Sequence, residues 1–467
     1  MVPALYPVTR TRLPMRLALV LFALVSSPIA TRAESGHCNG DPLAPEPTPQ
    51  AATEDGGEGL ALHAAKILTL ARDIPAVIDD GVLLIRDGKI EAVGKHGEVE
   101  IPEDCEVVEL GEQWLLPGLV ELHSHICAAL PFDINDTVYL TNPGLRASSA
   151  IVPHNPLLRR GIAGGVTTAL IIPGSGSNMG GSGVLLKIGY EHYEEMEVRN
   201  PGSLKLAQAG NPEDWVFGVS RSLMNWNTRN TFRRGIAYAK AWRTFEEQGG
   251  AQPRKDVQLE VFRALYEEDA KVSAHTQLGQ VVGSTLTMVG QELGLGVFID
   301  HGSLGGHYMA ELAEELGVAA ILGPRMIATT FDARDFAPAW DRLDTDGKFL
   351  GVSAEYQKRG HKAIGFNTDC VDDQAAYGTP PQEELSLQAA MALRYGLTNL
   401  DLESLRGLTI VPAETAGLGD RLGTLEAGKD ADILVVTGDI ADPRTSVESV
   451  YTDGELVYDA ERDGRRW

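Results

Sequence analysis

The sequence predicts an α/β protein: a (β/α)8 TIM-like barrel with a discontinuous β-sandwich domain from both chain ends. Three observations carry that prediction. Eight short apolar runs are separated by stretches whose apolar residues recur at helical spacing, the alternation expected of a parallel barrel. The segments before and after these runs are short, strand-like and punctuated by turns. Residue types suited to metal binding end the first and last runs, which become neighbours only if the sheet closes, and this favours a barrel over an open doubly wound sheet.

Taken in order, the chain opens with Arg10, Arg12 and Arg16 followed by "LALVLFALVSSPIA", a 14-residue uncharged run that is short for a membrane span. Residues 1–33 read as a signal peptide, with Ala33 at the cleavage site and Thr31 at the −3 position. An uncleaved anchor is the alternative. Residues 34–58, rich in Pro, Gly, Ala and acidic residues, read as a disordered linker. From residue 59, "GLALHAAKILTL", "GVLLIRDGKIEAVG" and "CEVVEL" read as strands, as do "ADILVVTGD" and "SVESVYTDGELVYD" near the other end, with an Asp-Gly turn in each set. These place a β-sandwich domain at 59–114 and 413–467, and the barrel at 115–412. The eight barrel runs are "WLLPGLVELHSH", "GVTTALIIPG", "SGVLLKIG", "SLKLAQAG", "KVSAH", "GVFIDHG", "GVAAILGP" and "HKAIGFNTD". "SGVLLKIG" also fits a strand on an inserted hairpin.

The balance of 40 Lys+Arg against 65 Asp+Glu gives a net charge of −25, which would repel a phosphate backbone and argues against nucleic acid or an anionic membrane surface as partner. A small molecule is the expected partner, no stable membrane span is expected once the signal is cleaved, and a homo-oligomer is compatible with all of this. Four cysteines in 467 residues do not make a disulfide framework, although the expected export, periplasmic or extracellular, would permit one.

In "PGLVELHSH" two histidines one residue apart share a face of a strand, roughly 6.5–7 Å apart along the chain, so one ion can reach both. His123 and His125 end the first run, His275 the fifth, His301 the sixth and Asp369 the eighth; four of only eleven histidines stand at such ends. Together they make a nitrogen- and oxygen-rich set suited to Zn2+ or a similar divalent metal, one or two ions.

The chain from about residue 59 to 460 resembles the amidohydrolase superfamily, in particular its imidazolonepropionase-related branch. The residues that carry the resemblance are "LLPGLVELHSH", "GVTTALIIPGSGSNMGG", "VSAH", "DHG", "NTD" and "IVPAETAGLGDRLGTLEAGKDADILVV". It implies a water, activated by the metal, that attacks an amide or ring C–N bond, with His123, His125, His275, His301 and Asp369 as metal and catalytic positions. Asp369 is then the proton-transfer group, and His301 is a second-metal ligand or a contact to the substrate carbonyl. Two departures stand out. Where relatives carry an acidic residue before Asn-Pro at the fourth strand, this chain has Gly210; Lys205 supplies a bridge only if carboxylated, and a structural or snorkelling lysine is the alternative. Where relatives often have a further histidine on the fifth strand, this chain has Ser273.

"PGSGSNMGGSG" lacks the Gly-Lys-Ser/Thr ending of a P-loop; Gly180 and Gly181 instead offer backbone N–H groups to a substrate carboxylate, or form a plain loop. Arg229 and Arg233 are candidates for gripping an anionic substrate end, against the alternative of a solvated helix face. The reading that results is a C–N hydrolase of a small substrate. An aminoacyl dipeptidase of the prolidase type is one alternative, and a non-catalytic barrel kept as a binding module is the other.

Overall fold

The computed structural model describes residues 59–126, 134–208, 212, 218–324, 326–329, 349–371 and 380–465. The expected signal peptide and linker, Gly210 and Cys127 lie outside the described residues.

Two eight-stranded sheets organise the chain. The first contains β1 (Gly59–Leu68), β2 (Val77–Arg86), β3 (Lys89–Lys95), β4 (Cys105–Glu109) and β5 (Trp114–Pro117), and recruits three strands from the other end of the sequence. The second contains β6 (Leu119–Ser124), β7 (Val166–Ile171), β8 (Met179–Lys187), β9 (Glu197–Ala207), β10 (Lys271–Leu278), β11 (Val297–Leu304) and β12 (Ala320–Leu322). A small hairpin of β13 (Ile327–Thr329) and β14 (Phe349–Gly351) precedes its last member, β15 (Ile364–Phe366). β16 (Ile433–Val436), β17 (Val447–Thr452) and β18 (Glu455–Asp459) then complete the first sheet, in which β16 pairs antiparallel with β5.

The Asp-Gly dipeptides close two-residue hairpins. Asp87 and Gly88 join β2 to β3 with φ of 49° and 74°, and Asp453 and Gly454 join β17 to β18 with φ of 47° and 77°. Positive φ at both central residues gives the turn whose twist matches that of the flanking strands. The two turns come together around the "GKDAD" segment: the Ala431 N–H donates to the Gly88 carbonyl (2.9 Å), and the Gly454 N–H to the Ala431 carbonyl (2.9 Å). The same segment meets the second sheet through charge. Lys187 on β8 is buried and donates to Asp430 (2.8 Å), Asp432 (3.0 Å) and Asp453.

In the second sheet the strand order is β6-β7-β8-β9-β10-β11-β12-β15, and each of the eight runs read from the sequence contributes one strand. Past the strand ends, a parallel bridge between Ser124 and Cys370 and a 2.9 Å hydrogen bond from the His125 N–H to the Cys370 carbonyl bring the first and last strands together, so the barrel-like sheet is nearly closed. β6, β7 and β8 are buried throughout, which is why they read as unbroken apolar runs rather than alternating ones.

Regular strand–helix alternation breaks at the third strand. β8 runs antiparallel to both β7 and β9, whereas the neighbours β6 and β7, and β9 through β15, pair in parallel. The reason is chain length. A parallel return needs a crossover of a dozen or more residues, and only residues 172–178 join β7 to β8. The segment expected as a Gly/Ser-rich loop is accordingly buried, with Gly180 and Gly181 inside β8. Gly181 has φ +119°, and a Cβ there would stand 2.6 Å from the Leu145 carbonyl oxygen, so only glycine suits the position.

Candidate metal centre

β6 ends at the barrel mouth with His123 fully buried and His125 nearly so. Asp369, three residues beyond β15 and held at φ +50°, puts Oδ1 3.2 Å from Nε2 of both histidines. The His125 ring is oriented from behind: its Nδ1 lies 2.8 Å from the Ile172 carbonyl, to which it donates, leaving the Nε2 lone pair facing Asp369. Burial alone would raise the Asp369 carboxyl, but attraction to His123 and the close approach of the His123 and His125 rings outweigh it and hold the group well below the usual carboxylate range.

A second set lies beside the first and shares His123. His275 in β10 and His301 in β11 approach with Nδ1 and Nε2 2.8 Å apart, and His123, His275 and His301 each turn one ring nitrogen to within 4.8 Å of the others. The Nδ1 of His301 donates to the Gly323 carbonyl at 2.9 Å, which again leaves Nε2 as the acceptor. His301 has φ +73°; two of the five expected ligands therefore sit in a backbone region that non-glycine residues rarely occupy, a strain that clusters at functional sites. Burial, reinforced by repulsion from His123, lowers His301 to about 4, and burial with repulsion from His301 puts His275 well below the ordinary histidine value. Both rings are neutral near pH 7. Neutral imidazoles, an ionised carboxylate, and a His275 Nε2 with no hydrogen-bond partner in its buried position together fit a divalent cation with borderline N/O preference.

Lys205 belongs to this centre rather than to the packing around it. β9 places the side chain, fully buried, with Nζ 3.1 Å from His123 Nε2. Burial lowers its pKa to about 8 against the pull of Asp300 and Asp369. Ser273, which stands where relatives often have histidine, is not among the candidate ligands; its hydroxyl lies 3.2 Å from that of Ser203, in the buried interior.

Two carboxylates that sequence reasoning passed over support the site. Glu121 Oε1 accepts from the His123 N–H (2.9 Å), and Oε2 accepts from the N–H (2.9 Å) and hydroxyl (2.7 Å) of Thr368, so one side chain braces the first strand against the segment that carries Asp369. Burial lifts this carboxyl to about 7 against those hydrogen bonds. Asp300, also buried, brings Oδ2 to 3.4 Å from His123 Nδ1. Both stood beside the quoted motifs, in "VELHSH" and "FIDHG"; Glu121 even shares the two-residue phase of the histidine pair.

The arginines part company with the cluster. Arg229 and Arg233, on the helix Arg221–Gln248, form ion pairs with Glu292 at 2.7 and 2.6 Å, and their side chains are 40% and 64% exposed, so the solvated helix face describes them. Gly180 and Gly181 adjoin the centre through packing: Gly181 stands opposite Lys205 in the β8–β9 register, and a Cβ on Gly180 would lie 3.7 Å from Lys205 Cγ.

Comparison with known proteins agrees with this geometry. The family model described as the amidohydrolase family matches residues 337–457. An imidazolonepropionase of Aromatoleum aromaticum is 26% identical, over 80% of this chain and 90% of its own length. The chain is similar to the amidohydrolase family. The amidohydrolase tasK of Hapsidospora irregularis is 25% identical over 90% of this chain, which spans 45% of that longer relative. The crystal structure of an amidohydrolase from Thermotoga maritima superimposes with a TM-score of 0.72 at 27% identity, covering 86% of this chain and all of that one.

Proposed function

We propose that this protein is a metal-dependent hydrolase of the amidohydrolase family that cleaves a C–N bond, in an amide or cyclic amide, of a small substrate. The observation that carries the reading is the pair of donor sets sharing His123, one of them closed by an anionic Asp369 that keeps 20% side-chain exposure. His123, His125 and Asp369 would hold one ion, and His123, His275 and His301 would hold it jointly with them or hold a second; zinc or a similar divalent metal suits these donors. An ion bound there supplies a water of lowered pKa and polarises the scissile carbonyl. Asp369 takes the proton of the attacking water and delivers it to the leaving nitrogen, as base and then acid. Ile172 and Gly323 hold the tautomers of His125 and His301 through this step, and Asp300 favours the N–H of His123 at Nδ1.

The finer structural reading is a (β/α)8 barrel over 115–412 with its third strand reversed, and a sandwich domain over 59–114 and 413–467. The similarity to amidohydrolases and imidazolonepropionases supports the C–N class, and no feature of the site separately favours an aminoacyl dipeptidase. Chelation is the test that separates this reading from the non-catalytic module. Turnover of dipeptides, N-acyl amino acids or cyclic amides should fall on dialysis against a chelator and return with Zn2+; turnover indifferent to chelation, or metal bound far below one equivalent, would overturn the proposal.

Lys205 bears on the metal count. Near pH 8 about half of its amines are unprotonated. That form adds CO2 at Nζ with loss of a proton, giving a carbamate able to bridge two ions. Elemental analysis should find one equivalent fewer in Lys205→Ala than in the parent. Unchanged metal content after the substitution would count against the bridge.

Among the described residues no helix is long and apolar enough to cross a membrane. The arginine-rich start and short apolar run support export to the periplasm or medium. N-terminal sequencing of exported protein should begin close to Glu34, and an intact Met1 would exclude cleavage.

A further inference from the structure

The first sheet carries a second group of metal-binding side chains, remote in sequence from the barrel histidines. His63 lies on β1, Asp80 on β2, His96 just after β3 and Glu109 at the end of β4, so four separate segments converge. His63 and Glu109 are direct cross-strand partners in the parallel β1–β4 register. His63 Nδ1 lies 2.7 Å from Glu109 Oε2 and its Nε2 2.8 Å from Asp80 Oδ1. Asp80 is held at φ +52°, and its carbonyl accepts the backbone N–H of His96 at 2.8 Å, which brings the second imidazole over the first with ring centroids 4.2 Å apart.

We propose that His63, Asp80 and His96 form a surface site for a divalent transition-metal ion, with Glu109 orienting His63. Each of the three turns one donor atom to within 4.8 Å of the others, a separation that small side-chain shifts bring to a shared ion. The donor set, two imidazole nitrogens and one carboxylate oxygen, prefers Zn2+, Cu2+ or Ni2+ to Ca2+ or Mg2+. Glu109 accepts the Nδ1–H of His63 and thereby presents Nε2 to the ion, the carboxylate–histidine–metal arrangement that recurs behind metal-ligating histidines.

His63 bridges two carboxylates, and His96 Nδ1, 4.0 Å from the second oxygen of Asp80, brings a further nitrogen to the same carboxylate. A cation in place of the proton between Nε2 and Oδ1 uses both rings. Access is open: Asp80 and His96 side chains are 72% and 51% exposed, leaving the remaining coordination positions to water. The bound ion would tie β1 and β2 to the segment after β3.

The test is zinc stoichiometry. Parent, His96→Ala and His63→Ala proteins are equilibrated with ZnCl2, freed of loose metal by gel filtration and analysed for zinc, with circular dichroism as the check on folding. Each variant should hold one equivalent fewer than the parent, and hydrolytic turnover should be unchanged because none of these residues touches the barrel centre. His96 is half exposed, so its variant remains interpretable should His63→Ala fail to fold. Glu109→Gln should keep the equivalent at saturation with affinity weakened about 10–100-fold. Equal zinc content in the parent and His96→Ala would overturn the site, and unchanged affinity in Glu109→Gln would overturn the role of Glu109.

Discussion

Asp369→Asn is expected to lose at least about a hundredfold in turnover while melting near the parent temperature, because a general base contributes roughly 10²–10⁴-fold. The amide is nearly isosteric and keeps an oxygen toward the His123 and His125 rings, but it cannot take a proton at neutral pH. The structure sharpens the expectation. Asp369 is the carboxylate that faces both histidines of β6 at 3.2 Å and still reaches solvent, whereas the neighbouring Glu121 is fully buried and engaged by Thr368 and the His123 N–H. Glu121 is therefore not placed to substitute as the base. A role confined to capping the turn at φ +50° predicts the opposite pattern, with turnover near normal in the asparagine variant, since asparagine tolerates that backbone region well. The measurement is turnover on a substrate whose chemical step limits the rate, beside a thermal melt; activity within a few-fold of the parent would remove Asp369 from the proton path.

The largest effect on stability should come from Lys187→Ala. Its ammonium, 3% exposed, faces Asp430 and Asp432, which are 0% and 5% exposed, and partly buried Asp453. Removing one partner of a buried charge cluster costs about 3–5 kcal/mol, because the carboxylates left behind remain desolvated and now repel one another. For a folded body of about 400 residues, that corresponds to a drop of roughly 4–6 °C in melting temperature. Lys89 and Arg421 also reach Asp430 from more exposed positions and keep that one carboxylate partly compensated, so the burden falls on Asp432.

The acid limb has a definite sign. Burial opposes ionisation of Asp430, but hydrogen bonds from Lys187 and Lys89 prevail and lower it from 3.8 to about 2. A carboxyl depressed on folding contributes stability that is fully present above its unfolded value and lost as pH falls through the folded one. The Asp430 contribution is therefore intact above about pH 4 and fades between about pH 4 and 2. Urea midpoints measured across that window should fall less steeply in Lys187→Ala than in the parent. Equal slopes and an unchanged melting temperature would show that the cluster is neutral for stability.

What the sequence by itself determined follows from short-range geometry. Apolar runs of strand length located all eight strands of the second sheet, since a strand buried on both faces cannot hide its composition. The two-residue period of a strand put His123 and His125 on one face, and the Asp-Gly pairs marked the turns because φ is positive at both of their residues. His275, His301 and Asp369 were legible for a related reason: the end of a buried strand is a poor place for a polar side chain without a partner.

Tertiary structure alone decided what depends on register and on partners distant in the chain. Lys205 reads as an ordinary lysine in "SLKLA" until the order and stagger of the strands bring Nζ to His123, 82 residues away. Lys187 and the aspartates of "GKDAD" and the last hairpin turn are separated by 243 to 266 residues, and Arg229 and Arg233 lie 63 and 59 residues from the glutamate that claims them. The reversal of β8 followed from a seven-residue connection that an apolar run does not reveal. Local pattern constrains which way a side chain points; what it meets there is set by loop closure and the packing of two sheets, neither of which is encoded within any one window of sequence.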